Sequence, residues 1–363
     1  ASAERPALWL TDTGALTRRS RQRMIACTPA TTVREAAALM VNAGQDAGIV
    51  ADASGRPLGI FSQFDFCNAL AQGRLNESAL IDTLMTAPVF TVRDTLDAGE
   101  LILEMLKRNV RYLCMTEDGT PDSPALGLVT ERALQLLHGR LPMFLGRELR
   151  RAADEESLAA LRARADEHVR EYLETHLPLK WICDFVATMD TLVVQRALEL
   201  AQKQLLAELP EAHRPSVKWC WLFFGQCARK EALLRAAQES GILYEDPAPD
   251  QQESTRGWFL RLGARVAHIL EVCGFARGPL SADRSENVRA LSQWVSRFER
   301  CTHEFCEDEQ LESCLPYFDM RAVAGSTQLP DQLHERWKNS FTSGDFFLQR
   351  LARAALENLP PLT

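Results

Sequence analysis

The chain has 363 residues, more than one ordinary hydrophobic core accommodates, so two or three domains are expected. About 46% of residues are hydrophobic and 25% charged, the balance of a soluble globular protein, and no apolar run reaches the roughly 18 residues that cross a bilayer. A net charge of −8 speaks against general nucleic-acid affinity, which needs clustered Lys and Arg.

The opening stretch ASAERPALWLTD has neither the basic start nor the apolar core of a secretory signal, and with no initiator Met the chain reads as a piece of something longer. Residues 1–21 read as a linker, and Arg18, Arg19, Arg21 and Arg23 as a solvated linker or helix face. Of ten cysteines, several sit inside apolar runs such as Trp219-Cys220-Trp221 and Leu113-Cys114-Met115, where they read as small buried hydrophobes. There is no CxxC pair, and the group Cys301, His303, Cys306 and Cys314 fits no common zinc spacing. Reduced thiols in a cytoplasm are the plain reading.

Residues 22–139 contain an internal repeat. Thr32-Val33-Arg34-Glu35-Ala36-Ala37 recurs as Thr91-Val92-Arg93-Asp94-Thr95-Leu96. Each copy leads through a helix to a short apolar strand, Ala47–Val50 or Tyr112–Met115. A turn follows, then a second strand running into a helix at Gly59-Ile60-Phe61-Ser62 and Gly127-Leu128-Val129-Thr130. Helical spacing places Val33, Ala36, Ala37, Met40 and Val41 on one face.

Two β-α-β-β-α units of this kind resemble CBS domains, which pair into one adenosine-nucleotide-binding module. The family signature, Gly, apolar, any residue, Ser or Thr, two more residues and Asp, is met by Gly59 through Asp65. The resemblance implies that Ser62 contacts phosphate and Asp65 holds the ribose hydroxyls of AMP, ADP or ATP. A hydroxyl at a helix N-terminus suits an anion, and a carboxylate one turn on can accept two ribose O–H groups. The second repeat keeps Thr130 but has Ala133 at the ribose position, so one good site is expected. The alternatives are a CBS pair that only dimerises or scaffolds, with Ser62 simply an N-cap.

Residues 140–212 are dense in good helix formers and read as a connector of two or three long helices, broken at Pro178 and ended at Pro210 and Pro215. His168 and His176 read as surface residues. Residues 213–256 read as an α/β core. Val217–Phe224 is apolar almost throughout, like a strand covered on both faces, and a second strand is expected at Gly241–Tyr244.

Between those strands, Gly225-Gln226-Cys227-Ala228-Arg229-Lys230-Glu231 resembles the glycine turn of a nucleotidyltransferase family often found after CBS pairs, related to the N-terminal domain of PII uridylyltransferase. Active members carry Gly-Ser-x-Gly-Arg-x-Glu and then Asp-Gln-Asp-Asn, whose two Asp on one side of a strand hold Mg2+. Here Gly225, Arg229 and Glu231 match, Gln226 and Ala228 do not, and the metal motif reads Ala237-Gln238-Glu239-Ser240. Glu239 is then the one metal ligand left, a weak site for Mg2+. Glu245 lies too far along the strand to replace position 237, roughly 26 Å if extended.

Residues 257–363 resemble the family's C-terminal helical domain, with a helix from Trp258 to Leu270 capped by Gly274, the stretch Phe318-Asp319-Met320-Arg321, and a closing helix over 344–356. Asp319 and Arg321 either act on substrate or form a structural ion pair.

The fold class implied is mixed α/β, and the function a bacterial signal-transduction regulator. In it a CBS pair senses an adenine nucleotide and is coupled to a degenerate nucleotidyltransferase-like domain. The alternative is an active metal-dependent nucleotidyltransferase with a protein acceptor such as a PII-like signal protein, in which Glu239, Arg229 and Glu231 are catalytic and Gly225 approaches the nucleotide. The resemblance also implies a homodimer, a cytoplasmic setting, no membrane or nucleic-acid partner, and relatives in which a cyclic-nucleotide-binding domain comes first.

Overall fold

The structure, a computed structural model, describes residues 24–138, 143–174, 177–209, 214–233, 237–303 and 314–338, with 353 and 356. The Arg18–Arg23 cluster, His176, Cys306 and nearly all of the closing helix expected over 344–356 lie outside the described residues. The chain divides into two compact units, Ala1–Arg147 with Leu173–Trp181, and Glu148–Tyr172 with Ile182–Thr363.

The first unit repeats one topology. β1 (Ala26–Cys27), α1 (Val33–Ala43), β2 (Ala47–Ala51), β3 (Pro57–Ser62) and α2 (Gln63–Ala71) are followed by β4 (Thr91–Arg93), α3 (Ala98–Arg108), β5 (Tyr112–Thr116), β6 (Ala125–Thr130) and α4 (Glu131–His138). In each sheet the first strand pairs parallel with the second, which pairs antiparallel with the third. The β-α-β-β-α units expected from the repeat are therefore both present.

Capping boxes begin both first helices, Thr32 with Glu35 and Asp97 with Glu100, and a left-handed residue ends each, Gly44 or Asn109. Val33, Ala36 and Met40 are buried as the spacing requires, but Val41 is 80% exposed. It lies roughly 100° round the helix from Met40, beyond the edge of the stripe. Between the strands, a Cβ at Gly48 would sit 2.4 Å from the Phe61 ring, so only glycine lets β2 pass over that buried side chain. Ala47, Ile49, Ala51 and Ile60 of the first repeat share a core with Cys114 and Leu128 of the second.

The second unit is built on a four-stranded sheet ordered β10-β7-β8-β9, from β7 (Trp219–Phe224), β8 (Ser240–Tyr244), β9 (Val288–Ala290) and β10 (Met320–Gly325). β7 pairs antiparallel with both neighbours, and β8 pairs parallel with β9. The apolar run of β7 is covered on both faces. Cys220, Leu222 and Phe224 join a core with Trp294, Phe298, Tyr317, Leu329 and Leu333. Those partners come from α10 (Leu291–His303), residues 314–318 and α11 (Gln328–Lys338). On the opposite face Tyr244 stacks on Phe259 of α9 (Gln252–Val272), and Trp219 packs tilted against the same ring.

Two sequence expectations change here. Beyond residue 256 only helices were expected, yet β9 and β10 complete the sheet. Strands of three and six residues amid helical sequence carry too little period-2 pattern to stand out. The region read as a connector forms α5 (Met143–Arg151), α6 (Glu155–Glu174) and α7 (Leu179–Glu208), with a break at Pro178. From residue 182 onward α7 buries Ile182, Phe185, Val186, Met189, Val193, Val194, Ala197 and Ala201, so it is core to the second unit rather than a spacer. His168 remains a surface residue, near Glu171 and stacked on Tyr172.

Candidate functional site

In the first repeat, β3 ends at Ser62 and α2 begins at once, which brings Ser62 and Asp65 together. The Asp65 Oδ2 atom accepts the Ser62 N–H at 2.8 Å and the Ser62 Oγ–H at 2.6 Å, while Oδ1 accepts the Thr86 hydroxyl at 3.2 Å. Asp65 is half-buried and Ser62 buried. A carboxylate has about four lone-pair positions, so these three donors leave about one. A ribose diol needs two, and a ligand would therefore displace the Thr86 or Ser62 hydroxyl. A Ser62 hydroxyl turned off Asp65 is then the donor a phosphate requires.

Tyr112, the first residue of β5 in the other repeat, completes this corner. Its phenol is held above its ordinary pKa, first by burial and then by Asp46, while a Ser62 contact pulls the other way. Beside it, the Arg111 guanidinium lies 5.9 Å over the Phe64 ring. No motif pointed to Thr86, Tyr112 or Asp46, because all three lie outside the signature run. In the second repeat Thr130 is an N-cap, accepting the Ala133 N–H at 3.0 Å. Ala133 leaves no carboxylate at the position that Asp65 takes in the first repeat, and the adjacent Glu131 is held by Arg147.

In the second unit β7 turns into α8 (Gly225–Arg229) at Gly225, whose φ is +51°. Glu239 reaches this turn. Its Oε2 lies 3.4 Å from the Cys227 N–H, its Oε1 3.4 Å from the Gln226 side-chain amide, and a Cβ on Gly225 would stand 2.9 Å from Oε2. Gly225, Arg229, Glu231 and Glu239 are thus brought to one turn. Glu231 and Asp319 both pair with Arg229, and Asp319 also accepts the Gly225 N–H through its backbone at 3.1 Å.

Asp319 and Arg321 do not pair with each other. Arg321 instead donates to the carbonyls of Cys227 and Ala228 at 3.2 and 3.3 Å and to the Thr191 hydroxyl at 3.3 Å. It closes the C-terminal end of α8, where carbonyls lack partners.

A buried acid that the sequence did not single out supports this corner from α7. Asp190 forms an ion pair with Arg162 at 3.0 Å, and both side chains are almost fully buried. Burial pushes the Asp190 carboxyl upward, against the opposing pull of Arg162 and Arg321. Beside it, the Cys227 thiol is pushed up to about 12 by burial, with Glu239 and Asp190 adding to the effect. Asp190 reads in sequence as one more acid in a helix, and only packing discloses its place.

The donor set does not fit a two-metal site. Ala237 replaces the first carboxylate, and its backbone bridges to Ala276. Glu239 is engaged by Gln226 and Cys227. Gln238 is structural, its amide donating to the Ala267 carbonyl and accepting from Ser281. Glu245 accepts the Lys218 N–H at the far end of β8, as its distance in sequence required. Among the described residues no group of three or more His, Cys, Asp or Glu could hold a metal ion, and no helix is long and apolar enough to cross a membrane.

Comparison with known proteins agrees with this division. CBS domain models match residues 19–72 and 81–135, and a model described as "Putative nucleotidyltransferase DUF294" matches residues 163–308. The latter begins inside the stretch read as a connector. Solved structures similar to the chain include an uncharacterized conserved protein from Pyrococcus horikoshii, 20% identical with a TM-score of 0.31, covering 34% of this chain and 92% of that one. A CBS domain protein from Pyrobaculum aerophilum complexed with AMP is 19% identical with a TM-score of 0.29, covering 32% and 88%. A CBS domain pair in complex with 5′-methylthioadenosine and S-adenosyl-L-methionine is 22% identical with a TM-score of 0.30, covering 34% and 94%. No curated protein matches the chain.

Proposed function

Since the chain carries two CBS domains followed by a nucleotidyltransferase-family domain, we propose that it is a regulator. Its CBS pair takes an adenine nucleotide at Ser62 and Asp65, and its transferase-like domain binds a nucleotide or a protein partner without metal-dependent transfer. The observation that carries the second half is the state of Glu239. It is the carboxylate remaining from the metal motif, and it accepts from Gln226 and the Cys227 N–H. A metal-dependent transfer needs charge neutralised at both the attacking and leaving oxygens, and one engaged carboxylate cannot hold the ions that do so. Gly225 and Arg229 are left as nucleotide-binding groups, with Glu231 and Asp319 fixing the guanidinium.

On this reading, occupancy of the CBS site alters what the second unit binds. Such coupling requires that the nucleotide and the partner each prefer the same one of two states.

The test is incubation of the full chain with Mg2+ or Mn2+, labelled ATP or UTP, and a PII-like acceptor, beside the Ala237→Asp variant. No label transfer by the native chain is expected. Transfer by the native chain that Glu239→Ala abolishes overturns the reading in favour of an active nucleotidyltransferase. Direct titration of the same nucleotides by calorimetry, with and without a saturating partner, reads the coupling.

A further inference from the structure

Cys301 closes α10 and Cys314 opens the helical residues 314–318. Both are buried, at 3% exposure, and their sulfurs stand 2.7 Å apart. Non-bonded carbon atoms settle at roughly 3.5–4.0 Å, and sulfur is larger, so the two sulfurs stand closer than an ordinary non-bonded contact. Cys114 and Cys220, by contrast, are single cysteines within their hydrophobic core clusters.

What the pair touches gives it a consequence. Residues 314–318 carry Tyr317, whose hydroxyl donates to buried Asn287 at 2.7 Å. The next residue is Asp319, which holds Arg229 through its carboxylate and Gly225 through its carbonyl. The Cys314 position is therefore continuous with the segment that frames the glycine turn.

We propose that Cys301 and Cys314 form a reversible dithiol–disulfide pair that staples the end of α10 to the segment presenting Asp319 to the glycine turn. With a peroxide as oxidant, one thiolate attacks a peroxide oxygen, the O–O bond breaks, and a sulfenic acid and one water result. The second thiol then attacks the sulfenic sulfur, the S–S bond forms, the S–O bond breaks, and a second water leaves. Two thiols and one peroxide give one disulfide and two waters, and a dithiol reductant reverses the step. Reaction is slow at neutral pH and faster in alkali, because the hydrogen bond between the two thiols, and then burial, hold Cys301 protonated.

Cys301, Cys306 and Cys314 share one tryptic peptide, since no Lys or Arg lies between residues 300 and 321, whereas several Glu residues separate them. The full chain is therefore treated with hydrogen peroxide or left reduced, alkylated in denaturant, digested with a glutamyl endoprotease and mapped by mass spectrometry. The expected product is a Cys301–Cys314 linked peptide, lighter by two hydrogens than its parts, that persists in Cys306→Ser and is absent from Cys314→Ser. Oxidation should also raise the thermal midpoint of the native chain by roughly 5 °C, as closing a loop of this size implies, and leave that of Cys314→Ser unchanged. Alkylation of both Cys301 and Cys314 after peroxide treatment, a link of either to Cys306 instead, or an unchanged or lowered midpoint in the linked protein overturns the proposal.

Discussion

Replacing Asp65 separates its structural role from its role toward a ligand. In the unliganded protein Asp65→Ala removes the acceptor for three donors: the Ser62 N–H, the Ser62 hydroxyl and the Thr86 hydroxyl. Losing a helix N-terminal partner of this kind costs about 1 kcal/mol, and hydrogen bonds to a charged acceptor contribute about 1.5–3 kcal/mol. These do not add, because Asp65 is half-exposed and water replaces part of what is lost, so we expect about 1–2 kcal/mol. Asp65→Asn keeps one acceptor oxygen and should lose about half as much. The assay is urea unfolding of the full chain followed by circular dichroism, repeated with AMP. At 100 times Kd, AMP should add about 2.7 kcal/mol to the native protein and nothing to Asp65→Ala. Unchanged apo stability in Asp65→Ala would refute the capping geometry. Full stabilisation of Asp65→Ala by AMP would refute Asp65 as the ribose anchor.

Gly225→Ala forces a side chain into a left-handed turn with its Cβ against the Glu239 carboxylate, and should destabilise by about 1–2 kcal/mol in urea unfolding. Arg162→Ala leaves Asp190 buried without its partner and should cost about 3–5 kcal/mol, whereas Asp190→Asn, which removes the buried negative charge but not the volume, should cost less; the reverse order in unfolding midpoints contradicts the burial argument. Cys227, with its pKa pushed up to about 12, is almost wholly protonated at pH 8, and its thiolate fraction grows tenfold per pH unit toward that value. Timed alkylation with peptide mapping should therefore label exposed Cys67 long before Cys227 at pH 8, and Cys227 labelling should accelerate as the pH rises.

The sequence alone determined the paired β-α-β-β-α units and the location of the glycine turn, because these rest on local patterns. Helical spacing, turn residues and a strand as apolar as Trp219–Phe224 act over a few residues and are readable there. It also placed Ala133 where the second ribose acid would stand and Ala237 where the first metal carboxylate would stand. Tertiary structure alone decided what the remaining charges do. Arg321 went to the carbonyls of α8 rather than to Asp319, and Asp190 came from a helix read as a spacer to stand behind the glycine turn. Thr86 came from another loop to share Asp65, and β9 and β10 joined the sheet across long stretches of helix. Each of these is a contact between residues distant in sequence. Their partners are chosen by burial and by the need to satisfy buried polar groups, which leave no periodic trace in the chain.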